Sequence, residues 1–390
     1  MLIPEDKKYH PKNKLVFGRN TISQLGALAG DICSGSVLIV TDPGVEKAGH
    51  VASAVDSLKD SGFSVTVFNG VIENPTTQEV EKCVQVARAV QPNLIVGLGG
   101  GSSMDTAKGC NFLYTNDGIM ADYWGVNKAS KPMLPLIAIP TTAGTGSECQ
   151  SFALICDSKS HRKMACGDEK ALPVISLLDP VLTLSQPRSV AAATGIDAVC
   201  HAIESAVTKK RNDVSAYYAK ASLKQTINAL PKVLTDHDDI EARENMLLGA
   251  TYAGIAIENS MLGAAHACAN PLTVTLGVVH GYAVAMMLPA VVRYNAKDDE
   301  AATIYRELAV YAGLVSEKST NEKAIDALLD RIESIIAVAE APVANVGDQI
   351  NQAMIVQLAK DAAQEWTGTF NPRDINEKEF ELLYRDTFNV

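Results

Sequence analysis

A change of hydrophobic period part-way along this chain constrains its fold more than any other feature. Up to about Pro187, short β-branched runs alternate with stretches whose apolar residues recur every three or four positions; beyond it the helical period persists almost alone. Residues 36–41 (SVLIVT), 63–68 (FSVTVF), 93–97 and 135–139 (PLIAI) are strand-sized and flanked by turn residues, so each reads as a buried strand. Between them, Val45, Ala48, Val51 and Val55 share one helical face, and Val80, Val84, Ala87 and Val90 another. Strands alternating with helices predict a mostly parallel sheet wrapped on both sides. In the second half, residues 189–209, 215–230, 242–256, 301–312 and 322–339 carry the helical period, with Pro180, Pro187 and Pro231 as expected element boundaries. A chain of 390 residues is long for one core. The expected organisation is an α/β domain over 1–187 and an all-helical domain over 188–390.

Charge excludes several functions. The chain has 34 basic and 45 acidic residues, a formal charge of −11, and no basic block of five or more, so neither nucleic acid nor an anionic membrane is an expected partner. Apolar runs such as 94–96 and 136–139 are strand-sized, and the first eight residues, MLIPEDKK, lack the apolar stretch of a signal peptide. Eight cysteines are scattered without a C-x-x-C pair, which suggests reduced thiols in the cytoplasm rather than a zinc ribbon or a disulfide framework.

Two loops have the composition of phosphate sites. Leu94 to Lys108 (LIVGLGGGSSMDTAK) reads as a strand, a glycine turn and a helix start, where backbone N–H groups and the helix dipole favour an anion. It is not a Walker A loop, since no Gly-Lys-Ser/Thr follows at the required spacing, and it matches G-x-G-x-x-G imperfectly, with Ser102 in the last position. A tight turn without a ligand is the competing reading. Pro140 to Glu148 (PTTAGTGSE) also follows a strand and is rich in hydroxyls, able to bind a diphosphate or simply to cap a helix. Asp42, directly after the first of these strands, suits an adenosine ribose and would repel a 2′-phosphate, which favours NAD over NADP; an Asp-Pro helix cap is the alternative.

The helical half holds candidate metal ligands. Asp197 and His201 are four apart in GIDAVCHAIE and share a helix face; His266 and His280 follow in LGAAHA and GVVHGY. One carboxylate with three imidazoles suits iron(II) or zinc better than calcium or magnesium. Hydrogen-bonded core residues are the alternative. His10, His50, His161 and His237 lie in polar or terminal surroundings and are expected at the surface.

Taken in order, these motifs resemble the iron-containing, group III alcohol dehydrogenases over the whole chain. The likeness is carried by Asn74-Pro75-Thr76, Gly99-Gly100-Gly101-Ser102 with Asp105 and Lys108, Thr141-Thr142 through Glu148, and Asp179-Pro180. It continues in Gly195-Ile196-Asp197-Ala198 with His201, His266, Val279-His280-Gly281 and Asn371-Pro372-Arg373. The resemblance implies a Rossmann-like N-terminal domain, an all-α C-terminal domain, and the architecture shared with dehydroquinate synthase. It assigns a divalent metal, Fe2+ or alternatively Zn2+, to Asp197, His201, His266 and His280. It places NAD on Asp42, Asn74, Gly99, Gly100, Gly101, Ser102, Asp105, Thr141, Thr142, Ser147 and Lys163, with Leu182 on the nicotinamide side. The implied reaction passes a hydride between NAD(H) and a small alcohol or aldehyde, with His266 and Asn270 nearest the chemistry; a homo-oligomer, dimer or larger, is expected. Asn270 stands where many members have a further histidine, and Ile257, followed by Glu258, replaces a familiar aromatic. Three rivals remain: a lyase like dehydroquinate synthase, which calls for basic phosphate anchors near the metal; a metal-independent enzyme like maleylacetate reductase, which has no use for four ligands; and an inactive binding protein.

Overall fold

The computed structural model describes Pro4, residues 6–160 and residues 162–390; His161 and most of the extreme N-terminal segment lie outside the described residues. The chain divides into two compact units. The first comprises the described residues up to Thr142 with Gly146–Gln186, and the second Ala143–Thr145 with Pro187–Val390. The short Ala143–Thr145 segment joins the second unit because Gly144 lies against Thr194: a Cβ on Gly144 would stand 2.4 Å from that of Thr194.

The first unit contains strands β1 (Lys14–Phe17), β2 (Ser36–Val40), β3 (Ser64–Phe68), β4 (Leu94–Gly99), β5 (Gly125–Val126), β6 (Leu136–Pro140), β7 (Phe152–Cys156), β8 (Lys163–Gly167) and β9 (Ile175–Leu178). Its helices are α1 (Leu25–Gly30), α2 (Pro43–Lys47), α3 (His50–Asp60), α4 (Thr77–Val90) and α5 (Gly101–Asn116). Six strands form one fully parallel sheet in the order β1-β9-β6-β4-β2-β3. Strands β4, β6 and β9 are buried along their whole length, as a sheet covered on both faces requires. A smaller sheet, β5-β8-β7, stands apart. The expected single helix after β2 is two, broken at Gly49 with φ +88°, a left-handed conformation that costs glycine little.

From β2 the chain winds outward to β3 on one side, and from β4 through β6 to β9 on the other. The two windings diverge between β2 and β4, which is where open α/β sheets bind ligands, at the carboxyl ends of the strands. Asp42 leaves β2 and the glycine turn leaves β4 at this point.

The second unit consists of α6 (Arg188–Val207), α7 (Asp213–Thr235), α8 (Ile240–Asn259), α9 (Ala264–Leu276), α10 (His280–Asn295), α11 (Asp299–Tyr311), α12 (Asn321–Val338), α13 (Val343–Gly347), α14 (Gln352–Ala362) and α15 (Glu377–Phe388). Pro231 does not end a helix; it lies inside α7, whose buried face of Leu223, Ile227, Leu230 and Leu234 continues past it. Helix α6 is long and apolar enough to cross a membrane, more so than the strand-sized runs suggested, but 89% of its apolar window is buried inside the protein. A helix apolar on all sides belongs at the centre of a core.

Candidate metal centre and cofactor site

Helix α6 presents Asp197, His201 and Glu204 at positions i, i+4 and i+7, one stripe along a helix. All three are buried. Opposite them stands His266, in the first turn of α9. His201 Nε2 lies 3.3 Å and His266 Nε2 3.5 Å from Asp197 Oδ1. The two imidazoles stack with centroids 4.9 Å apart. Donor atoms of Asp197, His201 and His266 all fall within 4.8 Å of one another.

His280 opens α10, and its ring centroid is 5.4 Å from that of His266. Gly281 makes that position reachable. A Cβ there would lie 1.9 Å from the Ala193 carbonyl oxygen and 3.2 Å from Asp197 Cβ, so only glycine lets α10 begin directly against α6. His280 stands beside the three converging donors rather than within their 4.8 Å group.

Glu204 orients His266. One carboxylate oxygen is hydrogen-bonded to His266 Nδ1, and the other accepts from the Ala265 backbone N–H at 2.7 Å. With Nδ1 engaged, Nε2 faces Asp197, the arrangement in which a carboxylate fixes the tautomer of a metal-ligating histidine. Although quoted within the α6 motif, Glu204 was not among the expected site residues. The signal available was its i+7 spacing from Asp197.

The electrostatics of these side chains suit a cation. Burial alone would lower His266, but the Glu204 and Asp197 carboxylates override it and push its pKa up to about 9. Burial opposes ionisation of Asp197, yet the neighbouring histidines hold it well below the usual carboxylate range. Burial keeps His201 below its ordinary value, ready to offer a neutral nitrogen. Asp197 Oδ1 and His266 Nε2 are buried with no hydrogen-bond partner among the described residues. Orphaned polar atoms are costly in a protein interior. A divalent cation among them satisfies both at once, so the residues present fit such an ion.

Asn270, one turn beyond His266 on α9, donates from Nδ2 to Glu365 Oε2 at 2.8 Å. Ile257 is buried near the end of α8, and Glu258 is half-buried. His10 and His237 are exposed as expected. His50 is half-buried instead, because it opens α3 beside the Ser185 hydroxyl, 2.7 Å away.

In the first unit, Asp42 caps α2, its Oδ1 accepting from the backbone N–H groups of Gly44 and Val45 at 2.8 and 3.0 Å. Its second oxygen faces the glycine turn, 3.4 Å from Ser103 Oγ. Gly99 has φ +147°, and a Cβ there would meet Ser103 Oγ at 2.4 Å and Asp42 Oδ2 at 3.3 Å. Gly100, Gly101 and Ser102 begin α5 without a side-chain cap, which leaves amide N–H groups for an anion. Thr141 continues the β4–β6 pairing through a 3.0 Å bond to the Gly99 carbonyl, and Thr142 lies beside Gly100. Asn74 is exposed, with φ +51°, in the turn before α4.

Other expected cofactor residues sit deeper. Ser147 donates to Asp105 at 3.1 Å, and the buried Lys108 donates to Ser147 and to the Phe152 carbonyl at 2.6–3.0 Å. Burial raises the Asp105 pKa against the pull of Lys108 and Lys163. Lys163 itself is exposed on β8. Leu182 is buried in the core with Leu98 and Ile139.

A parallel sheet with an uncapped glycine turn at its switch point, and a helical unit in which three buried donors converge, are what a metal-dependent oxidoreductase requires. Sequence comparison agrees. The profile of the iron-containing alcohol dehydrogenases matches residues 11–180, and that of the C-terminal part of the Fe-containing alcohol dehydrogenase family matches residues 191–388. The chain is 33% identical to the choline dehydrogenase of Bacillus subtilis, over 96% of this chain and 93% of that one. It is 34% identical to the NAD-dependent methanol dehydrogenase of Bacillus methanolicus, over 92% and 93%. The crystal structure of a 1,3-propanediol oxidoreductase superposes with a TM-score of 0.92 at 29% identity, covering 97% of this chain and 98% of that one. The chain belongs to the iron-containing alcohol dehydrogenase family and is a metal-dependent alcohol oxidoreductase of the NAD-dependent type. The lyase and maleylacetate-reductase alternatives are not favoured.

Proposed function

We propose that Asp197, His201, His266 and His280 hold one divalent ion, iron(II) in preference to zinc, and that NAD occupies the β2/β4 switch point. When bound, the ion supplies Lewis acidity toward an alcohol or carbonyl oxygen, and NAD supplies the hydride acceptor. Overall, the alcohol carbon gives a hydride to the nicotinamide, the hydroxyl proton goes to solvent, and an aldehyde or ketone remains. Within the chain, Asp197 contributes a charged donor and His201 a neutral one, while Glu204 keeps His266 turned with Nε2 inward. The open start of α5 carries the diphosphate, and Asp42 the adenosine ribose. Lys108, Ser147 and Asp105 brace these loops from within. The named relatives act on choline, methanol and propanediol, which supports a small alcohol here. Eight free cysteines support a reducing cytoplasm, and a homo-oligomer is testable by light scattering.

The observation that carries this reading is the convergence of three buried donors, with Asp197 Oδ1 and His266 Nε2 left without a hydrogen-bond partner among the described residues. His266→Ala is expected to abolish NAD-dependent alcohol oxidation and bound metal, while NAD binding followed by fluorescence persists. Equal loss of metal and NAD binding identifies a structural role instead.

A further inference from the structure

Resting on the proposed function, we infer that Asn371 is a positioning residue of the metal centre: paired with Asn295, it holds the first turn of α9, and with it His266, in place. His266 is the third residue of α9, in the turn where a helix frays most easily and its N–H groups lack partners within the helix. Metal–ligand distances hold to within about 0.2 Å, so a ligand in such a turn needs support from outside. Ordinarily the residue before a helix supplies this with its own side chain, but here that residue is Gly263. Two oxygens from distant segments take its place. Glu204 Oε1 accepts from the Ala265 N–H at 2.7 Å, and Asn371 Oδ1 accepts from the Ala264 N–H at 3.4 Å. Glycine leaves them room: a Cβ at Gly263 would lie 3.0 Å from the Glu204 oxygen and 3.2 Å from the Asn371 oxygen, closer than side chains normally pack.

The Asn371 oxygen is itself firmly held. Asn371 and Asn295, the last residue of α10, are both buried. Their amides pair head to tail, Asn371 Nδ2 donating to Asn295 Oδ1 at 2.7 Å and Asn295 Nδ2 to Asn371 Oδ1 at 3.0 Å. Asn371 Nδ2 also donates to the Arg373 carbonyl at 2.9 Å. Both donors and both acceptor sites of the Asn371 amide are thus used, and turning it over would set its NH2 against the Ala264 N–H. Adjacent bonds anchor the segment. Just past α6, the Lys209 N–H donates to the Phe370 carbonyl at 2.8 Å. Arg373 donates to the Tyr294 carbonyl at 2.6 Å, with its guanidinium 4.0 Å from the centre of the Tyr294 ring. Residues 370–373 therefore tie together the chain leaving α6, the start of α9 and the end of α10, the three helices that carry the proposed ligands.

Metal binding by the full chain separates positioning from mere stability. Asn371→Ala is expected to weaken zinc, measured against a competing chelator, by about tenfold, the lower end of what outer partners of metal ligands contribute. It should also shift the visible absorption of the cobalt(II)-loaded protein, which reports ligand geometry, while NAD binding followed by fluorescence stays native. Tyr384→Phe is the control: it removes a different hydrogen bond to α9, from the Tyr384 hydroxyl to the Cys268 carbonyl at 2.7 Å, and should lower Tm without weakening zinc. Native zinc affinity and cobalt spectrum in folded Asn371→Ala overturn the inference. So does an equal loss of zinc affinity in Tyr384→Phe, which would assign the effect to helix stability. Should Asn371→Ala not fold, hydrogen exchange in the native chain decides, because coupling between two sites is reciprocal. Zinc must then slow exchange in residues 366–373 along with 264–268, and more than in α12; protection confined to α9 overturns the inference. A native chain that binds zinc while the variants fail these tests leaves the proposed function standing, whereas a native chain that takes up no metal overturns both.

Discussion

Removing the charge of Glu204 while keeping its shape, through Glu204→Gln, separates metal affinity from proton competition at the centre. In the native chain the His266 pKa is pushed up to about 9, because the Glu204 carboxylate overcomes the effect of burial. An incoming ion must therefore displace a proton from His266 anywhere below that pH. Asp197, held low, and His201, held below its ordinary value, do not titrate between pH 7 and 9. Metal affinity should then climb about tenfold per pH unit across this window, about 100-fold or 2.7 kcal/mol in all. Without the Glu204 charge, burial lowers His266 against Asp197 alone, and the profile flattens. Above pH 9, where neither protein carries the proton, the native chain should bind more tightly by about 10- to 100-fold, the usual worth of a carboxylate that orients a ligating histidine. The two proteins should thus resemble each other near pH 7 and diverge as pH rises. Zinc affinity, measured against a competing chelator at pH 7, 8 and 9.5, reads both slopes. Parallel profiles would refute the assignment of Glu204 as the group that holds His266. The same raised pKa gives a stability sign: the ion-free protein keeps this pair intact at neutral pH and loses its stabilisation as pH rises through about 9.

Two further outcomes follow from local geometry. Asp42→Asn retains a good helix cap for α2 but loses the negative charge, so NADP use should rise with little change in Tm, whereas Asp42→Gly should raise NADP use and cost roughly a few tenths of a kcal/mol of stability; NADP activity unchanged in both would remove Asp42 from cofactor selection. Gly281→Ala places a methyl group 1.9 Å from the Ala193 carbonyl oxygen, so α10 must withdraw from α6. Urea denaturation should show a loss of about 1–3 kcal/mol, and metal content should fall with it; native-like metal content would show that His280 does not depend on this close approach.

Periodicity alone made the central strands legible. Strands β2, β3, β4 and β6 are runs of β-branched or aliphatic residues between turn signals, and each lies within a residue or two of its expected place. The glycine turn after β4 was also legible, since Gly99 has a backbone angle that few other residues adopt. So was the pairing of Asp197 with His201, because a four-residue spacing on a helix fixes a shared face wherever that helix packs. These are local properties, set within one turn or one strand. Strand β1 pairs only with β9, across more than a hundred residues, and β9 joins the sheet through β6, so no short-range pattern announces either. Pro231 reads as a stop, yet burial of the α7 face outweighs the hydrogen bond it removes.

Tertiary structure alone decided how the proposed ligands meet. By local pattern alone His266 and His280 are two histidines in apolar stretches, like core residues, and only the family resemblance singles them out. Their use depends on Gly281 admitting α10 against Ala193, and on Glu204 reaching from α6 to turn the His266 ring. Likewise, nothing local connects Asn270 to Glu365, 95 residues away. Side-chain type and helical spacing decide what each residue can offer. Which offers coincide depends on close packing between distant segments, and this is where the chemistry of the chain is set.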